Sequence, residues 1–138
     1  MKVLVDTSIW SMALRRPKMV KNKHVDELHL LIEEMRVQMI GPIRQELLSG
    51  IRSLEQYSTL KAHLVSFPDL GLQSGDYEKA AEFFNICRSK GIQGSNTDFL
   101  ICAISTNYRI PIYTIDLDFV RFQKYVPIVL HKVRKNGE

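Results

Sequence analysis

The stretch Lys2-Val3-Leu4-Val5-Asp6-Thr7-Ser8-Ile9-Trp10 decides the fold. Its first half is a short, β-branched-rich run, and Asp6, Thr7 and Ser8 can each cap a helix. It predicts a strand over 2–5 running straight into a helix that carries Ile9, Trp10, Met12 and Ala13. The pattern returns twice. Val37 to Ile40 reads as a second strand, and the helix after it has Pro42 near its first turn and Ile43, Leu47, Leu48 and Ile51 on one face. Ile110 to Ile115 reads as a third strand that again ends in acid, Asp116-Leu117-Asp118. Helices are expected over Val25 to Met35, Tyr77 to Lys90 and Phe99 to Tyr108, the last following the turn-and-cap sequence Gly94-Ser95-Asn96-Thr97. Arg15 to His24, with Pro17, reads as a loop; a short helix over Leu117 to Lys124 and a last strand over Val126 to Val133 complete the chain. Strands alternating with helices imply a parallel sheet covered on both faces. The expectation is an α/β sandwich with four or five short strands.

The composition fits one such domain over residues 1–138, with 45% hydrophobic and 25% charged residues. Disorder, collagen and coiled coil are excluded. The longest apolar runs, such as Val126 to Leu130, fall far short of the roughly 20 residues that cross a bilayer, so no membrane is involved. Asp6 ends the apolar start before a signal peptide can form. Two cysteines, Cys87 and Cys102, make no disulfide framework, which points to the cytoplasm. The net charge of +4 permits a polyanionic partner without requiring one.

In open α/β sheets, ligands sit beyond the carboxyl ends of the strands. Asp6 and Asp116 follow the first and third strands to that edge. Asp98 lies just inside a helix start, and Glu46 lies one turn into the helix after the second strand, on the side away from Leu47 and Leu48. These four carboxylates can converge on one edge, where their repulsion calls for a compensating charge. Mg²⁺ or Mn²⁺, which prefer oxygen ligands, would supply it. Such an ion activates water and clamps phosphate oxygens, so the chemistry would be metal-assisted phosphodiester hydrolysis. Each acid also has a purely structural role open to it. Asp6 can be a helix cap, Glu46 a solvated face residue, Asp98 a first-turn acid favoured by the helix dipole, and Asp116 and Asp118 turn closers.

Other chemistries find less support. His24, His29, His63 and His131 lack zinc-site spacing, Ser8 and Ser49 have no evident histidine partner, and no Gly-rich phosphate loop is present. A phosphatase acting through Asp6 would want a second Asp two residues on, where this chain has Ser8. Trp10, Phe83, Phe84 and Phe99 read as core, Tyr108 and Tyr113 as near-surface, and the Lys132-Arg134-Lys135 tail as a soluble terminus.

Four motifs, Val5-Asp6-Thr7-Ser8, Arg44-Gln45-Glu46-Leu47-Leu48-Ser49-Gly50, Asp98-Phe99-Leu100-Ile101-Cys102-Ala103 and Thr114-Ile115-Asp116-Leu117-Asp118-Phe119, resemble in order and spacing those of PIN-domain ribonucleases, specifically VapC-type toxins. The resemblance implies a PIN-like three-layer sandwich with a short, mainly parallel sheet flanked by helices. It implies a Mg²⁺- or Mn²⁺-dependent endoribonuclease acting as the toxin of a VapBC-type toxin–antitoxin module. Asp6, Glu46, Asp98 and Asp116 would form the metal pocket, with Asp118 a weaker ligand. Thr114 matches a supporting hydroxyl, a part that Thr7 or Ser8 can share. The partners implied are an RNA substrate, a cognate antitoxin beside the acids and a second copy in a homodimer. Cys102 stands where the family usually has alanine, and no chemical consequence is expected. A catalytically inactive PIN-like module that binds RNA or protein is the alternative.

Setting the four acids aside raises the formal charge from +4 to +8, because each carries one negative charge. The remaining surface is basic, and Arg15, Arg16, Lys18, Lys21 and Lys23 concentrate positive charge after the first helix, where a nucleic-acid path or simply a solvated loop would lie.

Overall fold

The first strand, β1 (Val3–Val5), is fully buried at all three positions, as a strand covered on both faces must be. In the computed structural model, which describes residues 1–15 and 21–135, it is the centre of a three-stranded sheet. Its neighbours are β2 (Val37–Gln38) and β3 (Ile112–Tyr113), in the order β2-β1-β3 and both parallel to it. The register sets Val3 against Val37, Leu4 against Ile112 and Val5 against Tyr113. Parallel strands need crossovers, and helices supply them. Helices α1 (Thr7–Arg15) and α2 (Lys23–Glu33) connect β1 to β2. Helices α3 (Gly41–Leu48), α4 (Leu54–Leu64), α5 (Ser74–Ser89) and α6 (Asn96–Tyr108) lead to β3, and α7 (Asp118–Phe122) follows it.

The sheet is smaller than the four or five strands expected. Two further segments touch it only through single parallel bridges, Met39 to Asp69 and Ile112 to Leu130. The last one explains itself. Residues 126–133 include Pro127, which has no N–H to donate, and the segment makes two ladder bonds with β3: Ile112 N donates to Val129 O at 2.9 Å and His131 N to Ile112 O at 2.7 Å.

Caps move the helix starts. Asn22 Oδ1 accepts from His24 N and Val25 N and so starts α2 two residues before the apolar periodicity does. A capping box between Gln73 and Asp76 starts α5 before Tyr77, and another between Ser95 and Asp98 starts α6 at Asn96. The core gathers around α6, whose residues Phe99 to Ser105 are all buried. Phe99 stacks against Phe84 at 5.4 Å and Phe122 at 4.7 Å, which ties α5, α6 and α7 together. Gly94 is needed beside that stack, since a Cβ there would lie 2.5 Å from Phe122 Cζ. Trp10, Phe83 and Phe99 are core residues, as read, but Tyr113 is fully buried rather than near the surface. Among the described residues no helix is long and apolar enough to cross a membrane.

Candidate active site

The β1–β3 register places the site. Val5 pairs with Tyr113, so Asp6 and Thr114 leave the sheet side by side although 108 positions apart, and Asp6 N donates to Tyr113 O at 2.9 Å. The buried Asp6 carboxylate is oriented by one oxygen. Oδ2 accepts from Ser8 Oγ at 2.8 Å, from Thr114 Oγ1 at 2.8 Å and from Ser8 N at 3.3 Å. Oδ1 takes no hydrogen bond among the described residues. Capping and site roles are therefore compatible at Asp6: Oδ2 caps α1 while Oδ1 is left for chemistry.

Asp116 is brought to the same place from β3. Its N–H donates to Thr114 Oγ1 at 3.0 Å, and its Oδ1 accepts from Asp118 N at 2.9 Å in a tight turn. Asp98 arrives on the first turn of α6, held by the box in which Ser95 N donates to its Oδ2 and its own N–H is accepted by Ser95 Oγ. Burial holds the Asp98 carboxyl above the usual carboxylate range; the bonds from Ser95 oppose that, and the charges of Asp6 and Asp116 add to it. A buried carboxyl raised in this way, with two further acids as neighbours, marks a candidate functional position. Beneath them lies Cys102, fully buried, its thiol pushed up chiefly by burial and then by Asp98, so it stays protonated and inert.

The remaining candidates stand further out. Glu46 is exposed, and it lines a separate cleft of about 790 Å³ between α1, α3 and α4, together with Ser11, Leu14, Arg15, Leu47 and His63. None of Asp6, Asp98 and Asp116 lines that cleft. Asp118 pairs with Arg121 at 3.0 Å instead of turning to the acids. Of the basic cluster, Arg15, Lys21 and Lys23 are exposed, with Arg15 in the cleft; Arg16 and Lys18 lie outside the described residues.

Ser8, not Thr7, shares the supporting role with Thr114. Thr7 Oγ1 is buried without a hydrogen-bond partner. Thr114→Val should cost about 1.5–3 kcal/mol of unfolding free energy in urea, the usual worth of a hydrogen bond to a charged group, whereas Thr7→Val should change it by less than about 0.5 kcal/mol. Equal losses would contradict the assignment.

One cluster escapes sequence reading. Glu27, 1% exposed, accepts from His131 Nε2 at 2.7 Å and from Arg134 Nε at 2.9 Å. Arg134 also grips Glu34 through both terminal nitrogens, at 2.8 and 2.9 Å, so the tail is clasped to α2 rather than free. The only signal was that Glu27, Leu31 and Glu34 fall on one helical stripe beside the apolar one.

The oxygen-only donor set of Asp6, Asp98 and Asp116 suits Mg²⁺ or Mn²⁺. Among the described residues no three His, Cys, Asp or Glu side chains sit close enough together to hold one ion. A hard cation bound here would have at most two direct carboxylates, with water completing its shell.

A short parallel sheet flanked by helices, with acids following β1 and β3, is the PIN-like α/β fold that the motif resemblance implies. No protein-family model matches the chain. It is 30% identical over 119 residues to VapC ribonuclease Mb1587 of Mycobacterium bovis and equally to ribonuclease VapC11 of Mycobacterium tuberculosis, a match covering 85% of this chain and 88% of each relative. The chain belongs to the VapC ribonuclease family. Its fold superposes on a chain from the structure of VapBC2 of Rickettsia felis bound to promoter DNA, with a TM-score of 0.76 at 18% identity over 95% of this chain and 98% of that one.

Proposed function

We propose that this protein is a Mg²⁺- or Mn²⁺-dependent endoribonuclease, the toxin of a VapBC-type pair, acting in the cytoplasm. The observation that carries the reading is the meeting of Asp6, Asp98 and Asp116 at one sheet edge, with Asp6 oriented by two hydroxyls. At most two of Asp6, Asp98 and Asp116 would hold the ion directly and the third through its waters, with Glu46 and Asp118 at the periphery. The bound ion would supply a low-pKa water and neutralise charge building on the scissile phosphate. Ser8 and Thr114 hold Asp6 Oδ1 toward the reacting groups at no further ordering cost.

The RNA backbone would approach over Arg15, Lys21 and Lys23, with an affinity that falls as salt rises. The cleft beside Glu46 would receive a segment of the antitoxin, since its floor is apolar (Leu14, Leu47, Leu60) and its rim carries Arg15, Glu55 and His63. A second copy would dock on the hollow between α3, α5 and α6, where Tyr77 stands 54% exposed beside Pro42 and Phe84.

The test is cleavage of total RNA by the purified protein with and without Mn²⁺, repeated with the product of the neighbouring reading frame, alongside sedimentation for the oligomeric state. Metal-dependent cleavage that the neighbour suppresses is the expected outcome. Equal cleavage in chelator would refute the metal, and a purely monomeric chain would refute the second copy. The alternative, a PIN-like module that binds without cleaving, has one observation on its side: no three carboxylates close on a single point among the described residues. It requires that Mn²⁺ leave the melting temperature unchanged.

A further inference from the structure

We propose that Glu27 is a positioning residue for the acid cluster: its clasp on His131 and Arg134 fixes the C-terminal segment against β3 and so sets where Thr114 and Asp116 stand. β3 is only two residues long, and it is β3 that delivers both of those residues. Among the described residues its outer edge is held by two backbone bonds, from Ile112 N to Val129 O and from His131 N to Ile112 O. The pairing with β1 sets the inner edge of β3, but two bonds fix the outer edge only weakly, because each contributes modestly. The side chains supply what the ladder lacks.

The links can be followed one by one. Glu27 binds His131 at 2.7 Å and Arg134 at 2.9 Å, and Arg134 is forked onto Glu34 one heptad along α2. The His131 ring meets Tyr113 edge to face at 5.2 Å, and Tyr113 Oη donates to His24 O at 2.8 Å, which returns to the first turn of α2. Tyr113 is thereby clamped from two sides. Its own carbonyl receives Asp6 N, and the next residue, Thr114, donates to Asp6 Oδ2. Burial would raise the Glu27 carboxyl, yet the bonds from His131 and Arg134 outweigh it and hold it below the usual range, so the clasp works with an anion. A buried carboxylate flanked by two donors accepts from both. A carboxamide has one acceptor oxygen and must turn its NH₂ toward one of them.

The proposal rests on the ribonuclease reading only for its activity arm. The readout is amide hydrogen exchange by NMR on the full chain, at Ile115 and Asp116, whose N–H groups donate to Ser8 Oγ and Thr114 Oγ1. Glu27→Gln should speed exchange there about tenfold while the α5 amides keep their wild-type rates. Arg134→Gln, which leaves the His131 bond in place, should do the same to a smaller degree and serves if the first variant does not fold. The control is Asp76→Asn, an equally buried carboxylate that accepts from Gln73 N, Asn107 and Tyr108 on the far side of α6. It should leave both amides and RNA cleavage unchanged. In the activity arm, Glu27→Gln should lower kcat for RNA on the order of tenfold with KM unchanged, as a misplaced reacting group does. Unaltered exchange at Ile115 and Asp116 in both variants, or equal acceleration in Asp76→Asn, would overturn the proposal. A wild-type chain that cleaves no RNA would count against the ribonuclease reading alone, and the exchange arm would still decide the clasp.

Discussion

Asp6→Asn is expected to lower RNA cleavage by a thousandfold or so while leaving the fold intact. The geometry explains why both halves of that result should appear together. Asn keeps one acceptor oxygen, which can occupy the Oδ2 position and take the bonds from Ser8 and Thr114. The amide NH₂ must then fill the Oδ1 position, where a cation or an attacking water needs an anionic acceptor. Circular dichroism should show the wild-type spectrum and a melting temperature within a few degrees of it, and timed cleavage of labelled RNA should show the loss. Asp116→Asn should behave similarly. Glu46→Gln should cost less than about tenfold, because Glu46 is exposed in the neighbouring cleft rather than packed among the acids. Wild-type cleavage by Asp6→Asn would remove the basis for the site.

Binding of a divalent cation should produce the second large effect, on stability. At a Mn²⁺ concentration a hundred times its Kd, the gain is about 2.7 kcal/mol. Without the ion the sign reverses at Asp98. Its folded-state pKa is raised above the ordinary 3.8, so the folded chain holds that proton more tightly than the unfolded chain does. The contribution is fully present below the ordinary value and is lost as pH climbs through the raised one. Glu27 and Asp76, held below the usual range, act in the opposite sense and lose stability as pH falls. Subtracting Asp98→Asn from wild type isolates the Asp98 part. In chelator at neutral pH the Asn variant should melt higher than wild type, with the gap closing as pH drops below the ordinary value. With Mn²⁺ the order should invert. Urea unfolding across pH, with and without the ion, reads all four curves, and a wild-type-minus-variant difference that ignores pH would show that neither burial nor the neighbouring acids raise the Asp98 carboxyl.

The crossover pattern was legible because it is local. Val3-Leu4-Val5 announces a buried strand, and the cap residues behind it announce a helix whatever the rest of the chain does. Asp6, Asp98 and Asp116 were legible for the same reason, since each follows a strand or starts a helix and those positions point to one edge of a parallel sheet. Glu46 was placed by the same logic, yet it faces a cleft shared with Arg15 and His63. One turn of helix is enough to rotate a side chain out of a site, and periodicity does not say which neighbour will be there. The expected last strand shrank to a single bridge, because Pro127 leaves the edge with too few donors.

What the sequence by itself determined is the order of elements, the parallel sheet and the acids that end it, because capping, β-branching and helical spacing act over a few residues. Only the tertiary structure decided that Thr114 joins Ser8 in holding Asp6 and that the basic tail is locked onto Glu27 and Glu34. Those pairings join residues 106 positions apart at Ser8 and Thr114 and 107 apart at Glu27 and Arg134. No local rule reaches that far, so the partner of a polar side chain becomes definite only once packing has set which surfaces meet.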